Sequence, residues 1–129
     1  MTNREITAEA SGSLLVIEDD LPIGRLLQVL FEDRGFVVEV AETFAEGVAA
    51  IEGMKPRVII LDLGLPDGDG LDLLRYLRED LHRTEPVVVL TAYRREEKVA
   101  RAFECGASGF VTKPFSPKEL GDHIELLAS

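Results

Sequence analysis

A single cysteine, Cys105, stands in the whole chain. That scarcity excludes an intramolecular disulfide and a thiolate metal cluster. In "FECGASG" the thiol falls near an expected helix end, where it reads as a buried structural residue. There is no tryptophan, and the only two histidines, His82 and His123, lie far apart without metal-ligand spacing. Both are expected on helix surfaces. Basic residues are also short: 14 Lys and Arg stand against 24 Asp and Glu, a net charge of −10. That balance argues against direct nucleic-acid binding by this chain, because phosphate contacts need basic patches. The most basic stretch, "YRREEKVAR", interleaves acids and reads as a solvated helix face. No apolar run approaches the roughly 20 residues of a membrane span. The opening "MTNREITAEASGS" lacks the apolar centre of a signal peptide. The expectation is a cytoplasmic protein with no membrane association, in which residues 1–12 form a disordered tail and 13–129 one domain. The surplus of acid suits solubility and a site that draws in a cation.

What the chain does have is alternation. With 46% hydrophobic residues it can build one core. Short apolar, β-branched runs alternate with amphipathic helical stretches. "SLLVI" (13–17) reads as a first strand, and Ile23, Leu26, Leu27, Leu30 and Phe31 then recur at helical spacing up to a cap at Gly35. "FVVEV" (36–40) is a second strand, and Thr43 with Glu46 forms a capping box before Phe44, Val48 and Ile51. "RVIIL" (57–61) is a third, followed by Leu71, Leu74, Leu77 and Leu81 on one helix. "PVVVL" (86–90) is a fourth, followed by a helix from about Arg95 to Cys105 that Gly106 stops. "GFVT" (109–112) is a fifth, and Ser116, Pro117 and Glu119 open a last helix burying Leu120, Ile124 and Leu127. Five βα units with short connections dictate a parallel sheet with right-handed crossovers. Such sheets bind ligands beyond the carboxyl ends of their strands.

Those ends carry a non-random set. Strand one runs into Glu18, Asp19 and Asp20, strand three into Asp62, strand four into Thr91, and strand five into Lys113 and Pro114. A buried apolar run such as "VIILDLGLP" (58–66) ends on a carboxylate only at great cost unless the strand meets solvent there or something cationic is waiting for it. Clustered carboxylates repel, and each has its pKa raised until a cation neutralises them. A few hard oxygen ligands suit an ion that keeps several waters, the profile of Mg²⁺. A carboxylate beside Mg²⁺ and a lysine is set to attack a phosphoryl group, since both cations screen the incoming charge. Asp62 then becomes a phosphate acceptor, and the Thr91 hydroxyl is placed to donate to a phosphoryl oxygen. Asp20 reads as the cap of the first helix. Asp67 and Asp69 in "PDGDG" read as turn and cap residues, because Leu71 stands where a calcium loop of the EF-hand type needs a ligand.

"LLVIEDD", "VIILDLGLPDGDG", "VVVLTA" and "GASGFVTKPF", in that order and spacing, resemble the receiver domain of bacterial two-component response regulators, over roughly residues 13–127. The resemblance implies a flavodoxin-like (βα)5 doubly wound sheet of order 2-1-3-4-5. It also implies Asp62 as phospho-acceptor, and Glu18 and Asp19 as the acidic pair, with Asp19 the more direct Mg²⁺ ligand. The Gly64 main-chain carbonyl completes the protein ligands to Mg²⁺. Thr91 is the switch hydroxyl, Phe110 the switch aromatic and Lys113 the phosphate-pairing cation, with a cis peptide before Pro114. A sensor histidine kinase or phosphotransfer protein is the implied donor. The implied response is a change of the face made by the fourth helix, fifth strand and fifth helix, controlling an output that includes transcription regulation. Such a domain is not an enzyme beyond catalysing its own phosphorylation and dephosphorylation. The chain ends on the fifth helix, as expected of a stand-alone receiver or the regulatory piece of a longer protein.

Departures from the family pattern bear on the output. Two residues beyond Asp62 stands Gly64, which offers no side chain to a phosphoryl group. Two beyond Thr91 stands Tyr93, whose ring is expected to shield the acyl phosphate from water and lengthen its life. "GASGF" replaces the "DDY"-like acids that the winged-helix subfamily uses in dimer salt bridges, which weighs against that symmetric dimer. A phosphorylation-dependent homodimer of another kind stays open. Two further readings compete. An aspartyl-phosphate phosphohydrolase resembles Asp-x-Asp at the nucleophile, a pattern that Gly64 breaks. A degenerate receiver acting as an unmodified binding module is opposed by the intact set of Glu18, Asp19, Asp62, Thr91 and Lys113.

Overall fold

The structure, a computed structural model, describes residues 12–92 and 95–129. The expected tail, apart from Gly12, and Tyr93 therefore lie outside the described residues. Five parallel strands form the sheet: β1 (Ser13–Ile17), β2 (Val37–Ala41), β3 (Val58–Leu61), β4 (Val87–Thr91) and β5 (Gly109–Thr112). Their order is 2-1-3-4-5, as the family resemblance implies. The helices are α1 (Leu21–Asp33), α2 (Phe44–Gly53), α3 (Gly70–Arg75), α4 (Glu96–Glu104) and α5 (Pro117–Ala128).

Alternation along the strands divides the core in two, because successive side chains leave a strand on opposite faces. Leu15, Ile17, Ile59, Leu61, Val87 and Val89 turn toward Ile51 of α2, Leu71, Leu74 and Leu77 of α3 and its continuation, and Ala102 of α4. Leu14, Val16, Val58, Ile60, Val88 and Leu90 turn toward Leu27 and Phe31 of α1 and Leu120 and Ile124 of α5. The central strands β1, β3 and β4 thus bury both faces, which is why they read as unbroken apolar runs.

The caps follow the sequence. Asp20 Oδ1 accepts from the Ile23 amide at 3.2 Å, Thr43 Oγ1 from Glu46 at 3.0 Å, Asp69 Oδ1 from Leu71 at 2.9 Å and Ser116 Oγ from Glu119 at 3.2 Å. Gly35 (φ +91°) and Gly106 (φ +102°) end α1 and α4 in the left-handed conformation.

Several expectations shift. Phe36 is not the first residue of β2. Its amide closes the α1 terminus on the Phe31 carbonyl at 3.0 Å, and its ring meets Phe31 edge-on at 5.8 Å, the apolar contact that accompanies such a terminus. The helix of Leu71 to Leu81 is α only to Arg75 and then widens into a π-helix over Tyr76–Asp80. His82 lies beyond that helix, exposed and at φ +52°, where a helix-surface position was expected. Cys105 caps α4 half-buried and not fully buried as expected. No described helix is long and apolar enough to cross a membrane.

Candidate functional site

The sheet delivers the acids. One hydrogen bond past its last pair, the Glu18 amide donates to the Ala41 carbonyl and the Asp62 amide to the Ile17 carbonyl, both at 2.9 Å. Each carboxylate therefore leaves the sheet at the same level. Asp19 follows at the surface, and one oxygen each of Glu18, Asp19 and Asp62 lies within 4.8 Å of the others. The Lys113 amide donates to the Thr91 carbonyl at 2.9 Å, which brings the lysine to the same crevice. The Lys113–Pro114 peptide is cis.

The side chains converge as the strand ends dictate. Lys113 Nζ stands 2.5 Å from Glu18 Oε1 and 3.1 Å from Asp62 Oδ2. Asp62 Oδ1 accepts from the Gly64 amide at 3.1 Å. Glu18 Oε2 accepts from the Asp20 amide at 3.3 Å. Glu18 and Asp62 are 2% and 6% exposed, so neither can rely on water to spread its charge. Among the described residues, the buried Glu18 Oε1 meets no donor apart from the Lys113 ammonium.

The protonation balance shows the deficit. Burial, and then the Asp62 carboxylate beside it, push the Glu18 carboxyl up to about 8 in spite of Lys113. Burial also opposes ionisation of Asp62, but hydrogen bonds from Glu18 and the Gly64 amide, with Lys113 beside it, hold its carboxyl below the ordinary range. Desolvation works against the Lys113 ammonium, and the two carboxylates outweigh it, so its pKa is raised. One ammonium does not neutralise three acids, and the proton that Glu18 favours near neutral pH relieves only part of the deficit. A hard divalent cation fits this donor set, because it would take over that neutralising role with oxygen ligands alone.

Thr91 is fully buried as the last residue of β4, one position deeper than a strand-end residue was expected to be. In the register of β4 and β5, Thr91 pairs with Thr112 and Val89 with Phe110. Thr91 and Phe110 therefore share the sheet face turned toward α3 and α4. Phe110 is half-buried against that core and also borders a cavity of about 420 Å³ between β5 and α5, with Phe115 and His123 on its wall. The structure brings Glu18, Asp19, Asp62 and Lys113 into one cluster with the Gly64 backbone, joins Thr91 to Lys113 through the main chain, and sets Phe110 deeper on the same sheet face as Thr91. Sequence reasoning did not find the ion pair of Lys98 in α4 with Asp69 at the head of α3, 3.9 Å apart. Nor did it find the reach of Asp67 across to α2. Both join residues distant in the chain, and no local pattern marks them.

Comparison with known proteins agrees with this geometry. Residues 14–125 match the family model described as the response regulator receiver domain. The chain is 42% identical over 113 residues to the Escherichia coli phosphate regulon transcriptional regulatory protein PhoB, covering 87% of this chain and 49% of that protein. It is 41% identical over 108 residues to the KDP operon transcriptional regulatory protein KdpE of E. coli, covering 84% of this chain and 47% of that protein. The chain thus spans about half the length of these curated relatives. Among solved structures, the receiver domain of the Francisella response regulator 1452 superposes with a TM-score of 0.85 at 31% identity, covering 90% of this chain and 95% of that one.

Proposed function

The chain belongs to the response-regulator receiver family, and from that premise we propose that it is a phosphorylation switch centred on Asp62. The observation that carries the reading is the nearly buried Asp62 carboxylate, held between the Lys113 ammonium at 3.1 Å and two further acids.

The donor is a phosphohistidine on a sensor kinase or phosphotransfer protein. An Asp62 oxygen attacks phosphorus, the P–N bond breaks, its electron pair returns to the imidazole, and an acyl phosphate remains on Asp62. The Gly64 amide turns Asp62 toward the crevice mouth, and Lys113 pairs with the incoming phosphoryl oxygens. Glu18, Asp19 and Asp62, with the Gly64 carbonyl, would hold Mg²⁺, which when bound neutralises charge on the acids and the phosphoryl group. The Thr91 hydroxyl then donates to a phosphoryl oxygen. The space it vacates is filled by Phe110 from the same sheet face, and the surface of α4, β5 and α5 changes. The charge added is about −1.5 to −2, enough to bias a two-state element. The only chemistry catalysed is the protein's own phosphorylation and its hydrolysis, in a cytoplasmic setting. Regulation of transcription is the output this reading assigns to a longer protein carrying the domain.

Intact-protein mass spectrometry after incubation with acetyl phosphate and Mg²⁺ tests this. The wild type is expected to gain one phosphoryl group and Asp62→Asn none. A gain in both would move the acceptor elsewhere, and a gain in neither, with folding intact, would leave an unmodified binding module.

A further inference from the structure

The loop between β3 and α3 is held at its tip by a carboxylate that takes no part in the chemistry above. Asp67 Oδ1 accepts from the Phe44 amide at 2.6 Å and Oδ2 from the Ala45 amide at 3.1 Å. The start of α2 already has its own cap in Thr43. A side chain more than twenty residues away thus covers two further amides that a helix start leaves without partners, at the end where the helix dipole favours negative charge.

The rest of the loop is stiff. Gly64 pairs with Asp69 and Leu65 with Gly68 in a short antiparallel ladder. A Cβ on Gly68 would come within 2.7 Å of the Phe44 ring, so the ladder lies flat against α2. A Cβ on Gly70 would meet the Asp62 carbonyl oxygen at 2.6 Å, so the base of the loop is closed on the acceptor's own peptide. Between these anchors sits Gly64. Glu18 and Asp19 take their places directly from the end of β1, but Gly64 has no side chain to pack and depends on the ladder and its tether.

We propose that Asp67 is a positioning residue for phosphoryl acceptance. By tying the loop tip to the amino terminus of α2, it fixes Gly64, hence the amide that orients the Asp62 carboxylate and the carbonyl assigned to the cation. The proposal rests on the Asp62 reading of the preceding subsection.

The test compares wild type, Asp67→Asn, Asp67→Ala and Thr43→Ala as isotope-labelled proteins. Three quantities are read: hydrogen exchange of the Gly64 amide without metal, the half-saturating Mg²⁺ from its resonance, and phosphoryl gain from acetyl phosphate. Asp67→Ala is expected to speed Gly64 exchange and raise half-saturating Mg²⁺ about tenfold, the lower end of what supporting groups behind metal ligands give. Asp67→Asn, which keeps one acceptor oxygen, is expected to fall between. Thr43→Ala removes a cap of the same helix without touching the tether and is expected to leave Gly64 and Mg²⁺ as in wild type. Values for Asp67→Ala within twofold of wild type, or equal shifts in Thr43→Ala, would reduce Asp67 to a helix cap and overturn the proposal. If the wild type gains a phosphoryl group and Asp67→Ala behaves like it, only the positioning role falls. If the wild type gains none, the Asp62 reading falls and takes this one with it.

Discussion

The two ends of the sheet bury charge to the same depth and use it differently. Lys113 at the carboxyl end and Arg83 at the amino end have side chains 15% and 16% exposed. Arg83 donates to the carbonyls of Ile51 and Met54, the latter at 2.8 Å, and pairs with Glu85. Arg78 gives two bonds to the Gly106 carbonyl at 2.9 and 3.1 Å and one to the Arg83 carbonyl at 2.9 Å. A guanidinium presents its donors as a fixed fork, and here the forks satisfy carbonyls that the ends of α2 and α4 leave over. At the carboxyl end, among the described residues, one ammonium stands with three acids, and Glu18 Oε1 meets no donor other than that ammonium. One end satisfies its charges within the fold, and the other leaves acids that could hold a metal ion.

The largest effect that would break this contrast is at the amino end. Arg83→Ala strips a partner from two carbonyls and from Glu85. It is expected to lower unfolding free energy by about 2–4 kcal/mol, since buried acceptors and a carboxylate lose their donor. Phosphoryl gain per folded molecule should be unchanged. A loss below about 1 kcal/mol in denaturant melts would mean that the arginines decorate the fold without holding it.

A smaller effect belongs to Glu18 and depends on pH. Its folded pKa of about 8 lies above the ordinary value of 4.5, so the folded state binds the extra proton and stability falls as pH rises through that interval. Metal-free wild type is expected to lose on the order of 3 kcal/mol between about pH 5 and pH 8. Asp62 is shifted the other way and loses its share only at more acid pH. Glu18→Gln should flatten the slope, and saturating Mg²⁺ should do the same in wild type. A slope equal in both proteins would show that Glu18 is not the group carrying the deficit. The smallest effect sharpens the comparison between buried and surface charge. Lys98 and Asp69 are 3.9 Å apart, with side chains 37% and 46% exposed. Lys98→Ala is expected to change stability by less than about 0.5 kcal/mol. Asp69→Ala, which also loses the α3 cap, should cost about 1 kcal/mol.

The sequence made much of this visible because local rules agree with the global fold. Strands β1, β3 and β4 are apolar runs buried on both faces, and Asp20, Thr43, Asp69 and Ser116 cap where the pattern puts them. The crevice was legible because strand ends, unlike helix faces, reduce to single positions: Glu18, Asp62, Thr91 and Lys113 each stand at one. What stayed hidden was non-local or degenerate. Leucines at 74, 77 and 81 fit an α-helix and a π-widened one equally, so Tyr76–Asp80 was read as ordinary helix. Phe36 has the apolar, β-favouring character of a strand residue, yet its contact with Phe31 assigns it to the helix terminus. Asp67 was read as a turn residue, and its bonds to Phe44 and Ala45 come from tertiary approach alone.

The central claim, that the deficient end of the sheet accepts a phosphoryl group on Asp62, is tested most directly by trapping the bond. Protein incubated with acetyl phosphate is reduced with borohydride, which converts an acyl phosphate on aspartate to homoserine, and is then mapped by peptide mass spectrometry. The account predicts homoserine at position 62 alone, formed with Mg²⁺ and absent when the metal is chelated. An unmodified position 62, reduction at Glu18 or Asp19 instead, or a yield indifferent to Mg²⁺ would contradict it.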